Sequence, residues 1–197
     1  MSLKPHSRYT IYEDWFRKEA RRAGRLEAEL YRVAGPRHTT ADEMLAGVGA
    51  FRAGGRWNPP DVMNAVYLSR SPETAMHESN EHYRHYRLPL SDGMPKVVIA
   101  VRVVAGAVFD MTAAADFPDP VANLMAEDWR AVMARGEEAT AQAVGRAVFA
   151  VGLQGILVPS KPDANGMNVL LFPERLTKKC LLEVLNADLL EKLGKPA

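Results

Sequence analysis

The feature that most constrains the fold is an unbroken apolar segment near the middle of the chain. Residues 96–104 are rich in β-branched side chains and lack the alternation expected of a half-exposed strand. A continuous run of this kind is typical of a central strand that is buried on both faces. The run is interrupted at Arg102, far too soon for it to cross a bilayer. We therefore expect a sheet whose central strand is covered on both sides.

The remaining segments place strands near both ends of the chain and helices between them. The clearest helix start is Ser71-Pro72-Glu73, where a hydroxyl can cap the helix, proline takes the first position and an acid faces the dipole. Helices are predicted over 11–27, 71–86, 120–135 and 137–151 and from 186 onwards, and strands over 27–34, 65–69, 155–159, 167–172 and 179–185. This order favours a mixed α+β domain over a doubly wound α/β sheet.

Length and charge narrow the classes of function. A chain of 197 residues suits one domain with a proper core. Its 25 basic and 24 acidic side chains give a net charge of +1, so no whole-molecule field would attract nucleic acid or an anionic membrane. One cysteine, Cys180, allows no intrachain disulfide, and the first residues lack the apolar core of a secretory signal. We expect a cytoplasmic protein that acts on a small molecule or binds a protein partner.

Two familiar ligand motifs are present only in part. The segment 77–82, His-Glu-Ser-Asn-Glu-His, resembles a zinc-protease helix, but that motif needs its second histidine where Glu81 stands. No further ligands are close in the sequence, so we predict no metal site. The glycines of segment 47–49 lack the third glycine of the dinucleotide fingerprint and its strand-then-helix context. A bound nucleotide would have to be held in another way.

The predicted N-terminal helix is strongly basic. A charge run of this kind is usually a solvated helical face, and the alternative is a docking surface for an acidic partner. Nucleic-acid binding is weaker than either interpretation, because the rest of the chain offers no matching basic patch. The basic residues of this helix are Arg17, Lys18, Arg21, Arg22 and Arg25.

The helix predicted over 71–86 carries a carboxylate in an informative position. At about 100° per residue, several of its side chains share one face that we expect to pack inward. Glu78 lies at the edge of this face, beside small side chains that leave room for a ligand. Its position fits a ligand-binding acid and a border salt bridge to Arg32 or Arg56 about equally well. The residues of the inward face are Ala75, Ser79, His82, Tyr83 and Tyr86.

Three further side chains are candidates for the same pocket. Arg56 lies in a Gly-rich loop, from which its planar guanidinium could donate paired hydrogen bonds to a phosphate. Tyr67 ends a short strand just before the helix of Glu78, so both could line one cavity. Ser160 follows another predicted strand, where a turn is the ordinary explanation for a serine. None of the three decides the function alone.

Taken together, these residues resemble the RES domain, a family named for an arginine, a glutamate and a serine. The similarity is carried by blocks that follow the family order over about 140 residues. The most specific blocks are Gly-Gly-Arg56-Trp-Asn-Pro and the later Pro-Glu-Thr-Ala-Met-His-Glu78. The other blocks are Leu30-Tyr-Arg32-Val, Ala65-Val-Tyr67-Leu-Ser, Gly155-Ile-Leu-Val-Pro-Ser160 and Asn168-Val-Leu-Leu-Phe172.

The resemblance implies a role for each matching position. Carried over residue by residue, it gives catalytic roles to Arg32, Glu78 and Ser160. The ligand-binding positions that it implies are Arg32, Arg56, Tyr67 and Asn168. The implied fold resembles that of ADP-ribosyltransferase toxins, with a mixed, split β-sheet core and flanking helices. Residues 28–197 would form this single domain and 1–27 a basic helical extension, while 113–150 find no counterpart in the family pattern.

The resemblance also implies an activity. The expected reaction is cleavage of NAD at the nicotinamide–ribose bond, by hydrolysis or phosphorolysis, in the toxin of a toxin–antitoxin pair. NAD would be the substrate and inorganic phosphate a candidate co-substrate, with no cofactor required. The expected partner is an Xre-type helix-turn-helix antitoxin, which would bind DNA in place of this chain, and a homodimer or a hetero-oligomer with the antitoxin is expected. Transfer of ADP-ribose to a protein, and a module that binds a nucleotide or a partner without turnover, stay open as alternatives.

Overall fold

Strands and helices mix as predicted, in a sheet with helices packed against it. The structure is a computed structural model that describes residues 3–36, 38, 40–185 and 187–193. Its strands are β1 (Gly24–Ala34), β2 (Val66–Ser69), β3 (Val97–Asp110), β4 (Gly155–Pro159), β5 (Met167–Leu171) and β6 (Leu181–Val184). Its helices are α1 (Tyr9–Glu19), α2 (Ala41–Leu45), α3 (Val48–Ala53), α4 (Pro72–His85), α5 (Val121–Ala126), α6 (Trp129–Ala134), α7 (Thr140–Ala150) and α8 (Ala187–Leu193).

The strand order brings distant segments of the chain together. The six strands run β1-β2-β5-β4-β3-β6, and β1 also pairs with β3, so five of them close into a ring. The contact between β1 and β2 is narrow, with Tyr31 opposite Ser69, whereas β1 and β3 pair along most of β1. β2 and β5 run antiparallel with Ser69 opposite Asn168. This register places residues of β1, β2 and β5 side by side at one end of the ring.

The long strand β3 is buried on one face only, which corrects the prediction from its sequence. Between Val97 and Ala105 the side chains alternate, with Val101 and Val103 fully buried and Arg102 exposed. Val98 is 43% exposed despite its apolar side chain. The helices α1 and α7 pack farther along the strand, around Phe109, so β3 has cover on its second face only there. A β-branched run therefore did not require burial on both sides.

Helix α1 belongs to the larger apolar core. Tyr12 and Phe16 are fully buried in it and pack with Phe109 and Phe117, and α1 lies along α7. The helix ends at Glu19, eight residues before its predicted end, because the chain extends into β1 from Gly24. Several of the basic side chains lie on the solvent side and form surface ion pairs, as in Arg17–Glu13, Arg22–Asp116 and Arg25–Glu27.

The helix predicted over 120–135 is divided in two. α5 ends at Ala126, and α6 begins at Trp129 after Asp128, whose carboxylate accepts a hydrogen bond from the Ala131 amide at 3.1 Å. A carboxylate at this position caps a new helix, which explains the break. In the part of the chain that the structure describes, every helix is too short or too polar to cross a bilayer.

Candidate active site

A cavity of about 620 Å³ opens between the sheet, α4 and α6. Its volume is within the range of small-molecule sites, roughly 300–1,000 Å³. Strands β1, β2 and β5 form one wall, α4 the second, and α6 with the loop after α3 the third. Its charged wall residues are Arg32, Arg56, Arg130, Lys161, Glu78 and Glu81. Cations outnumber carboxylates on this wall, which favours an anionic ligand.

Glu78 presents its carboxylate to the cavity from the second turn of α4. The Ser71 hydroxyl caps this helix as predicted, accepting from the Thr74 amide at 3.0 Å. Two donors reach Oε1 of Glu78: the Ser160 hydroxyl at 2.7 Å and the Asn168 amide nitrogen at 2.6 Å. Within the described residues no hydrogen bond reaches Oε2, so this oxygen is available to a ligand.

Arg32 and Arg56 line the same cavity as Glu78, but neither forms an ion pair with it in the described part of the chain. The salt-bridge interpretation of Glu78 therefore finds no support. The carboxylate is held by two neutral donors, and the two guanidinium groups belong to residues on the wall of the same cavity. This is the arrangement expected of a ligand site rather than of a structural ion pair.

Asn168 is oriented by a serine that the sequence analysis did not identify. The Ser69 hydroxyl donates to Oδ1 of Asn168 at 2.7 Å, which leaves Nδ2 facing Glu78. Ser69 is buried and lies opposite Asn168 in the antiparallel pair of β2 and β5. Since alternate residues of a strand share a face, its position two residues after Tyr67 is the signal that could have revealed it.

Ser160 lies behind the carboxylate and not on the cavity wall. It follows β4, is 7% exposed, and its backbone amide donates to the Gly166 carbonyl at 2.8 Å. Its hydroxyl is directed at Oε1 of Glu78. The structure thus brings Ser160 to the site, but its contact is with the acid and not with the space that a ligand would occupy.

Arg32 lies on the wall of the cavity and has one buried nitrogen without a partner. It lies on β1, and its Nη1 donates to the Tyr67 carbonyl at 3.0 Å. Its Nε is buried and has no partner. Burial lowers the pKa of the Arg32 guanidinium. The ordinary pKa of this group is so high that the guanidinium stays charged at neutral pH. A cation on the cavity wall with no carboxylate partner in the described residues suits a bound anion.

The Arg56 side chain is anchored at the C-terminal end of α5. Its Nη1 donates to the carbonyl oxygens of Leu124 (3.2 Å), Met125 (3.3 Å) and Glu127 (3.0 Å) at the end of α5. A cation is favourable there because the last carbonyls of a helix carry partial negative charge. Burial is the main cause that lowers its pKa, and the nearby charge of Glu78 opposes that effect. Residues 113–150, which include α5, therefore position a predicted site residue.

The Tyr67 hydroxyl is fully used by the protein. It donates to Oδ1 of Asn58 at 2.8 Å and accepts from the Trp57 amide at 3.1 Å. Burial raises the pKa of this phenol. Only glycine fits at position 55, because a Cβ there would overlap the Tyr67 hydroxyl. Only the ring of Tyr67 is left to contact a ligand in the cavity.

The predicted inward face of α4 is correct for its first turns and wrong for its last ones. Ala75 is buried, but His82 and Tyr86 are exposed, the latter to 54%. Both side chains line the cavity. They therefore face the space between α4 and α6 and do not pack inward as expected. The other wall residues that the sequence analysis missed are Glu81, Trp129, Arg130, Met133 and Lys161.

The residues described by the structure contain no group of three histidine, cysteine, aspartate or glutamate side chains that could hold a metal ion. In particular, the 77–82 segment does not form a zinc site. His77 is partly buried with its Nδ1 unpaired, and His82 lies at the cavity mouth.

The chain is similar to a family model, to curated relatives and to a solved structure. The family model described as "RES domain" matches residues 29–186, which include every predicted site residue. The curated relatives named NAD(+) phosphorylase MbcT, from Mycobacterium tuberculosis (strain H37Rv) and Mycobacterium bovis, are each 30% identical over 142 residues, covering 68% of this chain and 69% of the relative. The crystal structure of the M. tuberculosis MbcT–MbcA toxin–antitoxin complex matches with a TM-score of 0.65 and 24% identity, covering 95% of this chain and 97% of that one. At that identity the structural match bears on the fold alone.

Proposed function

The chain belongs to the RES domain family, and on that premise we propose that it is the toxin of a toxin–antitoxin pair and cleaves NAD with inorganic phosphate as the acceptor. The observation that carries the proposal is the Glu78 carboxylate, fixed on the wall of a cavity that has a surplus of cations. The relatives named NAD(+) phosphorylase support the choice of substrate and reaction.

The reaction breaks the bond between the ribose carbon and the nicotinamide nitrogen, and both electrons of that bond leave with the nitrogen. A phosphate oxygen forms the new bond to the same carbon, so the products are nicotinamide and phosphorylated ADP-ribose. Because nicotinamide leaves as a neutral molecule, no general acid is required. Positive charge builds on the sugar as in glycoside hydrolysis, so a carboxylate beside the ribose lowers the barrier.

Each site residue has a role in this proposal. Glu78 stabilises the developing positive charge through Oε2, while the two donors on Oε1 fix its orientation. Arg32 and Arg56 bind the pyrophosphate of NAD or the attacking phosphate, because both guanidinium groups line the cavity and such groups donate paired hydrogen bonds to phosphate. The ring of Tyr67 stacks on the nicotinamide. No residue of the site has to act as a covalent nucleophile.

The decisive experiment incubates the purified protein with labelled NAD, with and without phosphate, and identifies the products. We expect nicotinamide and phosphorylated ADP-ribose, formed only when phosphate is present. Glu78→Gln should lower turnover by about 100-fold or more, by analogy with the loss of one transition-state contact. Glu73→Gln, an exposed acid at the start of the same helix, is the matched control and should retain turnover.

The other outcomes identify the alternatives. Free ADP-ribose made without phosphate would indicate hydrolysis, and label on protein would indicate ADP-ribosyl transfer. NAD binding without any product, or full turnover in Glu78→Gln, would overturn the catalytic proposal. A binding module would also be no more toxic to bacteria than its Glu78→Gln variant.

We further propose that an Xre-type helix-turn-helix antitoxin silences this chain in the cytoplasm, and that the strand ring is related to the sheet of ADP-ribosyltransferase toxins. The structural neighbour is a toxin–antitoxin complex, which supports a protein partner. Apolar side chains in the segment that follows α4 are exposed, as at Tyr86, Leu88 and Met94, which suits a docking surface. Co-expression with an adjacent helix-turn-helix gene should restore growth, and Leu88→Asp with Met94→Asp should weaken that rescue.

A further inference from the structure

Helix α6 forms the end of the cavity that the proposed chemistry leaves unassigned. Trp129, Arg130 and Met133 lie on this helix and line the cavity, opposite the wall that carries Glu78. Ala50 and Ala53 of α3 line the same region, so this end is largely apolar. The residues of the reaction come instead from β1, β2, β5, α4 and the loop after α3.

Trp129 and Arg130 stack on each other at the cavity, and we call this pair the α6 platform. The Arg130 guanidinium lies over the Trp129 ring, 4.5 Å from the ring centre. In the described part of the chain no carboxylate forms an ion pair with Arg130, whereas Arg135, one turn later, pairs with Glu137. Indole rings and guanidinium planes are the surfaces on which protein sites stack nucleobases.

The α6 platform is held at a fixed distance from the reaction centre. Arg56 joins the end of α5 to the loop after α3, through carbonyls that immediately precede α6. On the other side, Nε2 of Gln142 donates to the Gly55 carbonyl at 3.1 Å and lies 3.7 Å from the sulfur of Met133. Burial is the main cause that lowers the pKa of Arg56, and the nearby positive charge of Arg130 adds to it. Both cations line the cavity.

We infer that the α6 platform binds the adenosine half of the dinucleotide. The inference rests on the proposed NAD substrate. With the nicotinamide ribose at Glu78 and the pyrophosphate at Arg56, the adenine reaches the apolar end and stacks on the α6 platform. In this arrangement α6 contributes affinity and selectivity for the whole dinucleotide and contributes nothing to the breaking of the bond.

The test compares NAD with nicotinamide mononucleotide, which has the same reacting bond and one phosphate but lacks the adenosine half. Both substrates are measured with wild type, Trp129→Ala and Trp129→Phe, with Arg135→Ala as the control for loss of a nearby surface side chain. Trp129→Ala should lower kcat/KM for NAD about tenfold or more through KM, since one stacked base contributes on that scale. The values for nicotinamide mononucleotide should change less than twofold, and Trp129→Phe should retain most of the NAD activity.

A binding measurement separates this inference from the activity. Calorimetric titration of AMP should give a dissociation constant about tenfold weaker for Trp129→Ala and unchanged for Arg135→Ala, with thermal unfolding showing that both variants are folded. Equal losses for NAD and nicotinamide mononucleotide would overturn the inference, because the platform would then hold the nicotinamide end. So would an unchanged AMP affinity in Trp129→Ala. If wild type cleaves neither substrate but AMP binding depends on Trp129, the proposed reaction fails while the nucleotide site stands.

Discussion

Removing the Ser160 hydroxyl tests whether this serine acts through Glu78. The hydroxyl donates at 2.7 Å to the same carboxylate oxygen that accepts from Asn168 at 2.6 Å. A hydrogen bond to a charged group contributes about 1.5–3 kcal/mol. If this bond serves to hold the carboxylate in its reactive orientation, Ser160→Ala should lower kcat by about 10- to 150-fold. KM for NAD should change little, because Ser160 is not on the cavity wall.

The assay is steady-state cleavage of NAD in the presence of phosphate, with thermal unfolding as the check on folding. Ser160→Thr keeps a hydroxyl and should recover most of the lost kcat, which a purely structural contribution would not predict. A loss in Ser160→Ala of 10,000-fold or more would refute the reasoning, since it would mean that the serine itself reacts. An unchanged kcat in Ser160→Ala would also refute the reasoning, because the carboxylate would then need no hydrogen bond from the serine.

Three further predictions concern the surroundings of the site. Gly145→Ala should destabilise the fold by about 1–3 kcal/mol or more in urea unfolding, because its Cβ would overlap a buried backbone carbonyl, whereas Gly24→Ala, with nothing within 4 Å, should change it little. Burial, and then a hydrogen bond to a carboxylate, raises the pKa of Tyr12, so this phenol stays neutral in the fold while the unfolded chain ionises above about pH 10. The unfolding free energy should therefore fall as pH rises past that value, and less steeply in Tyr12→Phe. Arg56→Lys keeps the charge but has a single nitrogen, which cannot bind the three carbonyls and a phosphate together, so KM for NAD should rise by about tenfold while the unfolding temperature falls.

Local signals predicted the element that carries the site. The cap at the Ser-Pro-Glu start of α4 depends only on contacts within four residues of the chain. It was therefore predictable without knowledge of the rest of the fold. The strands around Tyr67 and Asn168 were also placed correctly, because short apolar runs bounded by turns are sufficient to locate them. The family resemblance, confirmed by the match over 29–186, then predicted that these segments meet.

Features that depend on a distant partner were not predictable from the sequence. The sequence of segment 96–104 carries no information on which part of β3 is covered by a helix. The one-sided burial of this strand was therefore not predictable. The hydrogen bond from Ser69 to Asn168 joins positions 99 residues apart and needs the strand register to be seen. The anchoring of Arg56 by α5 is of the same kind, since the helix break that exposes those carbonyls is decided by tertiary packing as well as by the Asp128 cap.

The hydrogen bonding of Glu78 suits cleavage of the nicotinamide–ribose bond better than cleavage of an O-glycosidic bond. Enzymes that cleave O-glycosides use two carboxyl groups, one of which protonates the leaving oxygen. The other carboxylate on this cavity wall, Glu81, is fixed by no hydrogen bond of the described residues, whereas Glu78 is fixed by two on a single oxygen. One positioned carboxylate with a free second oxygen supplies negative charge beside a ribose and offers no positioned acid. A leaving group that departs without a proton, such as nicotinamide, is the kind that such a site can serve.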